Sequence, residues 1–154
     1  MAIFYGKEIN LSQPSIYIAD ADNRYHGIKI SQKKIAQMLE INGYQGNIYF
    51  NTADKRESIL KNKDELHFDQ KLKDNADVII YYLDTHLDDE GIVELLMSAY
   101  LHPHKTILGC YINSDAFSYL NKIDGIMVHN NLNDVVVNAL RLIGKEGRKY
   151  ESRF

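Results

Sequence analysis

"ADVIIYYLDTHLDDEGIVELLMSAYL", residues 76–101, decides how the chain folds. Its first third is apolar without interruption from Val78 to Leu83 and rich in β-branched and aromatic residues. A run of that length and composition reads as a strand over 76–84 buried on both faces, since a half-exposed strand would alternate with polar residues. Its last third, "GIVELLMSAYL", reads as a helix over 91–101, stopped before Pro103. Between them lie Asp84, Asp88, Asp89 and Glu90, with Glu94 following Gly91 by three positions. A strand that turns into a helix through a crowd of carboxylates needs a reason. Acids near a helix N-terminus can simply be hydrated and favoured by its dipole, and Asp89 is an N-cap candidate.

The same alternation extends in both directions. "SIYIAD" (15–20) reads as a first strand and "ISQKKIAQMLEIN" (30–42) as a helix with Ser31 as N-cap and Gly43 as its stop. "GNIYFN" (46–51) reads as a second strand, residues 52–64 as a polar loop, and "LHFDQKLKDN" (66–75) as a helix. Downstream, "KTILGCYI" (105–112) and "GIMVH" (125–129) read as strands, and "NLNDVVVNALRLIG" (131–144) as an amphipathic helix stopped by Gly144. His102-Pro103-His104 reads as a helix-ending turn, without a metal-like spacing.

Five continuous apolar strands separated by helices predict a doubly wound α/β sandwich with a parallel five-stranded sheet in the order 2-1-3-4-5. Ligands of such folds bind outside the carboxyl ends of the strands. The acidic stretch follows one of those ends, and "DADN" (20–23) follows another.

At 154 residues the chain reads as one domain, with residues 1–14 as an extension and 145–154 as a polar tail. A net charge of −3, spread along the chain, leaves no basic stripe for nucleic acid. No apolar run approaches the ~20 residues needed to span a bilayer. The single cysteine, Cys110, lies in an apolar strand and no signal-peptide pattern opens the chain, so the cytoplasm is the expected compartment. No cofactor or resident metal is expected. Eleven tyrosines and the terminal "KYESRF" suggest contact surface and a homo-oligomer.

Three chemistries use acids at this place. A receiver-like signalling or interaction module would gather Asp20, Asp22 and Asp84 around a cation and needs a lysine ending the last strand, which "GIMVHNN" does not supply. A haloacid-dehalogenase-like phosphatase would use the Asp-x-Asp of "IYIADADN", but the later lysine and paired acids are not evident. The third reading fits more positions. "FDQKLKDNADVIIYYLDTHLDDEGIVELLMSAYLHPHKTI" resembles the nucleoside 2-deoxyribosyltransferase family and its N-glycosidase relatives, over roughly residues 15–112. The resemblance rests on a helix aspartate (Asp69), Ala76-Asp77 opening an apolar strand, the Asp-x-Gly of Asp89-Glu90-Gly91, and a helix glutamate (Glu94). That glutamate usually lies four positions after the glycine, one more than here.

The resemblance implies cleavage or exchange of the N-glycosidic bond of a 2′-deoxynucleoside. Glu94 would be the nucleophile and Asp69 would orient it or the sugar. Asp89 would contact the base, and Asp20 and Asn23 would add contacts from the opposite loop. The partners implied are a nucleoside and a free base. A carboxylate suits such chemistry because positive charge develops on the sugar and C1′ can be captured covalently. The loop "ADADNRYHG" carries two aspartates and no glycine-rich phosphate cradle, which favours a nucleoside over a nucleotide.

Overall fold

A computed structural model of the chain describes residues 2–5, 14–19, 29–50, 70–83 and 89–151. Six strands lie in one sheet: β1 (Ala2–Tyr5), β2 (Ser15–Ala19), β3 (Asn47–Phe50), β4 (Val78–Leu83), β5 (Thr106–Cys110) and β6 (Val128–His129). Helix α1 (Ile30–Ile41) joins β2 to β3, and helical residues 70–75 (α2) precede β4. Helix α3 (Asp89–Leu101) joins β4 to β5, α4 (Asp115–Leu120) lies between β5 and β6, and α5 (Leu132–Glu151) closes the chain.

The sheet order is β1-β3-β2-β4-β5-β6, and every pairing is parallel. The five strands expected from the sequence therefore stand in the order 2-1-3-4-5. One more joins them: residues 2–5, expected as part of an extension, pair with β3 as an edge strand.

Alternation along β2 and β4 builds two cores. Ile16 and Ile18 of β2, with Val78, Ile80 and Tyr82 of β4, face Ile35, Ala36 and Leu39 of α1 and Val135, Val136 and Ala139 of α5. Tyr17 and Ala19, with Ile79, Tyr81 and Leu83, face Leu72 of α2, Leu95 of α3, and Ala116 and Leu120 of α4. All six residues of β4 are buried, as a central strand of a doubly covered sheet requires. Cys110 is fully buried in the second core, as its apolar surroundings imply. Gly109 leaves room for α5 against the sheet: a Cβ there would lie 2.5 Å from Val135 and 2.8 Å from the Tyr82 ring.

Helix boundaries refine the sequence reading. At the end of α1, Gly43 has φ +92°, the Gly43 N–H bonds the Glu40 carbonyl and the Tyr44 N–H the Leu39 carbonyl, both at 3.0 Å. That is the Schellman arrangement, with Tyr44 and Leu39 packed in the same core. At its start the N-cap is Lys29, not Ser31, which is buried inside the first turn. The Lys29 N–H is met instead by Gln32 Oε1 at 2.8 Å. Gly144 does not stop α5, which runs on to Glu151. Positive φ among the described glycines occurs at Gly43 and Gly125, so Gly144 remains helical and the chain accepts its modest propensity cost. Among the described residues, no helix is long and apolar enough to cross a membrane.

Candidate functional site

Right-handed β-α-β connections send each helix from the carboxyl edge of the sheet back to its amino edge. Helix α3 thus starts at the carboxyl end of β4 and finishes beside the start of β5. Asp89 is its first residue, a position where a carboxylate suits the helix dipole, instead of the residue preceding it. Two turns in, Leu95 points at the sheet and is fully buried. Glu94, 100° away around the helix, points sideways toward α2. The position four after Gly91 is therefore core leucine, and the acid lies on the helix flank.

The Glu94 carboxylate is held from two elements. Its Oε1 accepts from the Tyr81 hydroxyl at 3.2 Å and from the Lys73 ammonium at 3.3 Å. Tyr81 comes from the centre of β4 and is 1% exposed. Lys73 comes from α2, and its Nζ lies 5.6 Å from the Tyr81 ring centroid, within cation–π range. The Lys73 and Glu94 side chains are 13% and 20% exposed, so this is a largely desolvated pair. Neither Lys73 nor Tyr81 was singled out by sequence reasoning. One signal was present: Lys73 follows Asp69 by four positions, the spacing of one helix face.

Glu94 lines a groove of about 470 Å³ between α2 and α3, together with Gln70, Lys73, Met97, Ser98 and His102. The chain direction puts Gln70 and Glu94 at the end nearer the carboxyl edge, and His102 at the amino edge. A second, contiguous hollow of about 660 Å³ continues along the amino edge past Asp77, His104 and Lys105. Of the other residues expected in the site, Asp69, Asp20 and Asn23 lie outside the described residues, as do Asp22 and Asp84. For Asp89 the backbone position is described.

At the carboxyl end of β2, α1 is anchored by Gln32. Its Nε2 donates to the Ile18 carbonyl at 3.2 Å while its Oε1 accepts from Lys29, a buried amide with both ends engaged. This clamp ties Lys29 and the first turn of α1 to the Ile18 carbonyl of β2.

The amino edge has a structural logic of its own. Asp77 Oδ2 accepts from the Ser15 N–H at 2.8 Å, and the Asp77 N–H bonds the Ser15 carbonyl at 3.0 Å. The Ala76-Asp77 pair thereby stitches the start of β4 to the start of β2. Lys105 donates to the Asp74 and Ala76 carbonyls at 3.0 and 2.8 Å, tying β5 to the end of α2. Burial pulls the Lys105 ammonium below its usual pKa, against the opposing pull of Asp74 and Asp77. His102 Nε2 lies 3.4 Å from Asp74 Oδ1. Burial, assisted by the Lys105 charge, nevertheless lowers the His102 pKa, because the exposed Asp74 carboxylate offsets only part of the desolvation. Among the described residues, no three histidine, cysteine or acidic side chains gather as a metal site.

The chain matches no protein-family model, and comparison with curated proteins and with solved structures returns no match.

Proposed function

We propose that the protein cleaves or exchanges the N-glycosidic bond of a 2′-deoxynucleoside, with Glu94 as its nucleophile. The observation that carries this reading is the fixed Glu94 carboxylate, clamped by Tyr81 and Lys73 at the wall of a groove of about 470 Å³. Volumes of that size accommodate small ligands. The clamp supplies what a displacement at carbon needs, a carboxylate whose orientation is set before substrate arrives. The family resemblance supplies the substrate class.

In the proposed reaction a Glu94 carboxylate oxygen attacks C1′ as the bond to the base breaks. The bonding pair leaves with the base nitrogen, which is protonated by a second acid. The resulting sugar ester is released when a second base, or water, attacks C1′ and returns the carboxylate. Asp69 would orient the sugar or the nucleophile, Asp89 the base, and Asp20 and Asn23 would contact substrate from the opposite loop. Tyr81 and Lys73 are positioning residues that act through Glu94.

Base exchange tests it. The protein is incubated with a 2′-deoxynucleoside and a second free base, and the products are separated by chromatography across a panel of purines and pyrimidines. Expected is release or exchange of base by the wild type, its abolition in Glu94→Gln, and its retention in Asp84→Asn. Failure of the wild type on every member of the panel refutes the reading.

A further inference from the structure

The turn "HPHK", residues 102–105, delivers a lysine to the end of a neighbouring helix. Pro103 cannot continue α3, and the His102 carbonyl accepts from the Lys105 N–H at 3.2 Å and from the Thr106 N–H at 3.1 Å. The Lys105 side chain is thereby laid along the amino edge of the sheet. Its Nζ donates to the Asp74 and Ala76 carbonyls at 3.0 and 2.8 Å, at and just past the end of α2, where a lysine is a favourable partner. An ammonium carries three N–H donors, and these two carbonyls are the acceptors Lys105 has among the described residues. A neutral amine carries two donors and a lone pair, so the same site satisfies it in full. The donor residue and both acceptor residues line the hollow of about 660 Å³ at this edge. Lys105 is half-buried there, and desolvation favours the uncharged form.

We propose that Lys105 is an amine nucleophile and that the hollow at the amino edge takes small uncharged aldehydes, captured there as a Schiff base. The Nζ lone pair forms a bond to the carbonyl carbon, and the carbonyl π pair moves to oxygen, which takes a proton from the nitrogen. Water then leaves with the carbon–oxygen bonding pair and a proton from solvent, and a protonated imine remains. Nothing is oxidised or reduced. The surrounding charges select the class of electrophile. Asp74 from α2 and Asp77 from the start of β4 both act on Lys105 and both line the hollow, so an anionic electrophile is repelled. An acyl donor would leave a neutral amide, whereas the protonated imine keeps the positive charge that the two carboxylates favour. His102 and His104 line the hollow as well. Burial and the Lys105 charge lower the His102 pKa, so that imidazole adds no cation against the imine near neutral pH. Lys73, the other ammonium nearby, is paired with Glu94. The volume admits small molecules without rearrangement of the fold.

The proposal does not rest on the glycosidic reaction, because its test reads the mass added to each lysine. The full chain is incubated with propanal and sodium cyanoborohydride from pH 6 to 9, and propylation is quantified by peptide mass spectrometry. At pH 7 Lys105 should be modified several-fold faster than the exposed Lys33, Lys34, Lys71 and Lys122, and its rate should reach half-maximum at a lower pH than theirs. With glyoxylate, an aldehyde that carries a carboxylate, this lead should vanish. Asp74→Asn keeps the backbone carbonyl that Lys105 bonds and removes a charge that favours the ammonium. Propylation of Lys105 at pH 7 should therefore rise further in that variant, with Lys33, Lys34 and Lys122 unchanged. Labelling of Lys105 no faster than of the exposed lysines, as a lysine serving only to cap α2 would show, overturns the proposal. So does an equal lead with glyoxylate, or an Asp74→Asn chain in which Lys105 reacts no faster than in the wild type.

Discussion

Removing the Lys73 charge while leaving Glu94 in place should destabilise the fold by more than a surface ion pair could explain. Exposed pairs contribute about 0–1 kcal/mol, whereas breaking a buried pair costs about 3–5 kcal/mol because the surviving charge is left uncompensated. At 13% and 20% exposure the Lys73 and Glu94 side chains lie closer to the buried limit. Residual solvent screening reduces the figure, and about 2 kcal/mol is expected for Lys73→Met. Tyr81→Phe removes a hydrogen bond to the same oxygen without disturbing the packed ring, and a bond to a charged group is worth about 1.5–3 kcal/mol. The replacement Lys73→Met with Glu94→Gln removes both charges together and should cost less than the two single changes summed. Urea unfolding followed by circular dichroism reads each stability, and the cycle of wild type, Lys73→Met, Glu94→Gln and the double replacement isolates the coupling between Lys73 and Glu94. A coupling below about 0.5 kcal/mol, the ordinary additivity error, would refute the desolvated pair and with it the claim that Glu94 is held in place.

Three further substitutions check other parts of the fold. Gly109→Ala should destabilise by about 1–3 kcal/mol in urea, since its Cβ meets Val135 at 2.5 Å and the core must shift to admit it. Ser114 caps α4 by accepting from the Phe117 N–H at 3.2 Å, and Ser114→Ala should lower stability by about 1 kcal/mol on the same assay. The His102 pKa is lowered by burial, so as pH falls below about 6.5 the unfolded chain takes up its proton before the folded chain does. The stability contributed by neutral His102 is full above that pH and declines below it. Urea midpoints taken from pH 7.5 to 5 should therefore fall less steeply in His102→Gln than in the wild type.

The sheet was legible because its strands are buried on both faces. Uninterrupted runs such as Val78–Leu83 admit few other structures, and alternation with helical patterns then restricts the order of strands. The edge strand at residues 2–5 was not legible, because four residues of "AIFY" carry no periodicity and their partner is supplied by β3. The end of α5 was missed for a different reason. A glycine can stop a helix or merely weaken it, and only its backbone angle distinguishes the two. In the site, Glu94 was visible as an acid on a helix after a central strand. Its partners were not, since Tyr81 reads as one more core aromatic and Lys73 as one more charge on a solvated helix. Long-range contacts of this kind depend on how two helices rotate against the sheet, and local pattern does not carry that.

The one-residue offset between Gly91 and the glutamate has a geometric consequence. A glutamate at position 95 would point at the sheet, where Leu95 is fully buried among apolar neighbours. At position 94 the side chain is turned by 100° to the flank, where Tyr81 can still reach it from β4 and Lys73 meets it from α2. The carboxylate is then served by a groove between two helices, and a substrate for the proposed reaction must bring C1′ to the end of that groove nearest the carboxyl edge. Farther round the same helix Val93, Met97 and Tyr100 are half-exposed, and of these Met97 still lines the groove. A single helix register thus places the acid: rotating α3 to aim residue 94 at the sheet would break its contacts with Tyr81 and Lys73 and turn Leu95 out of the core.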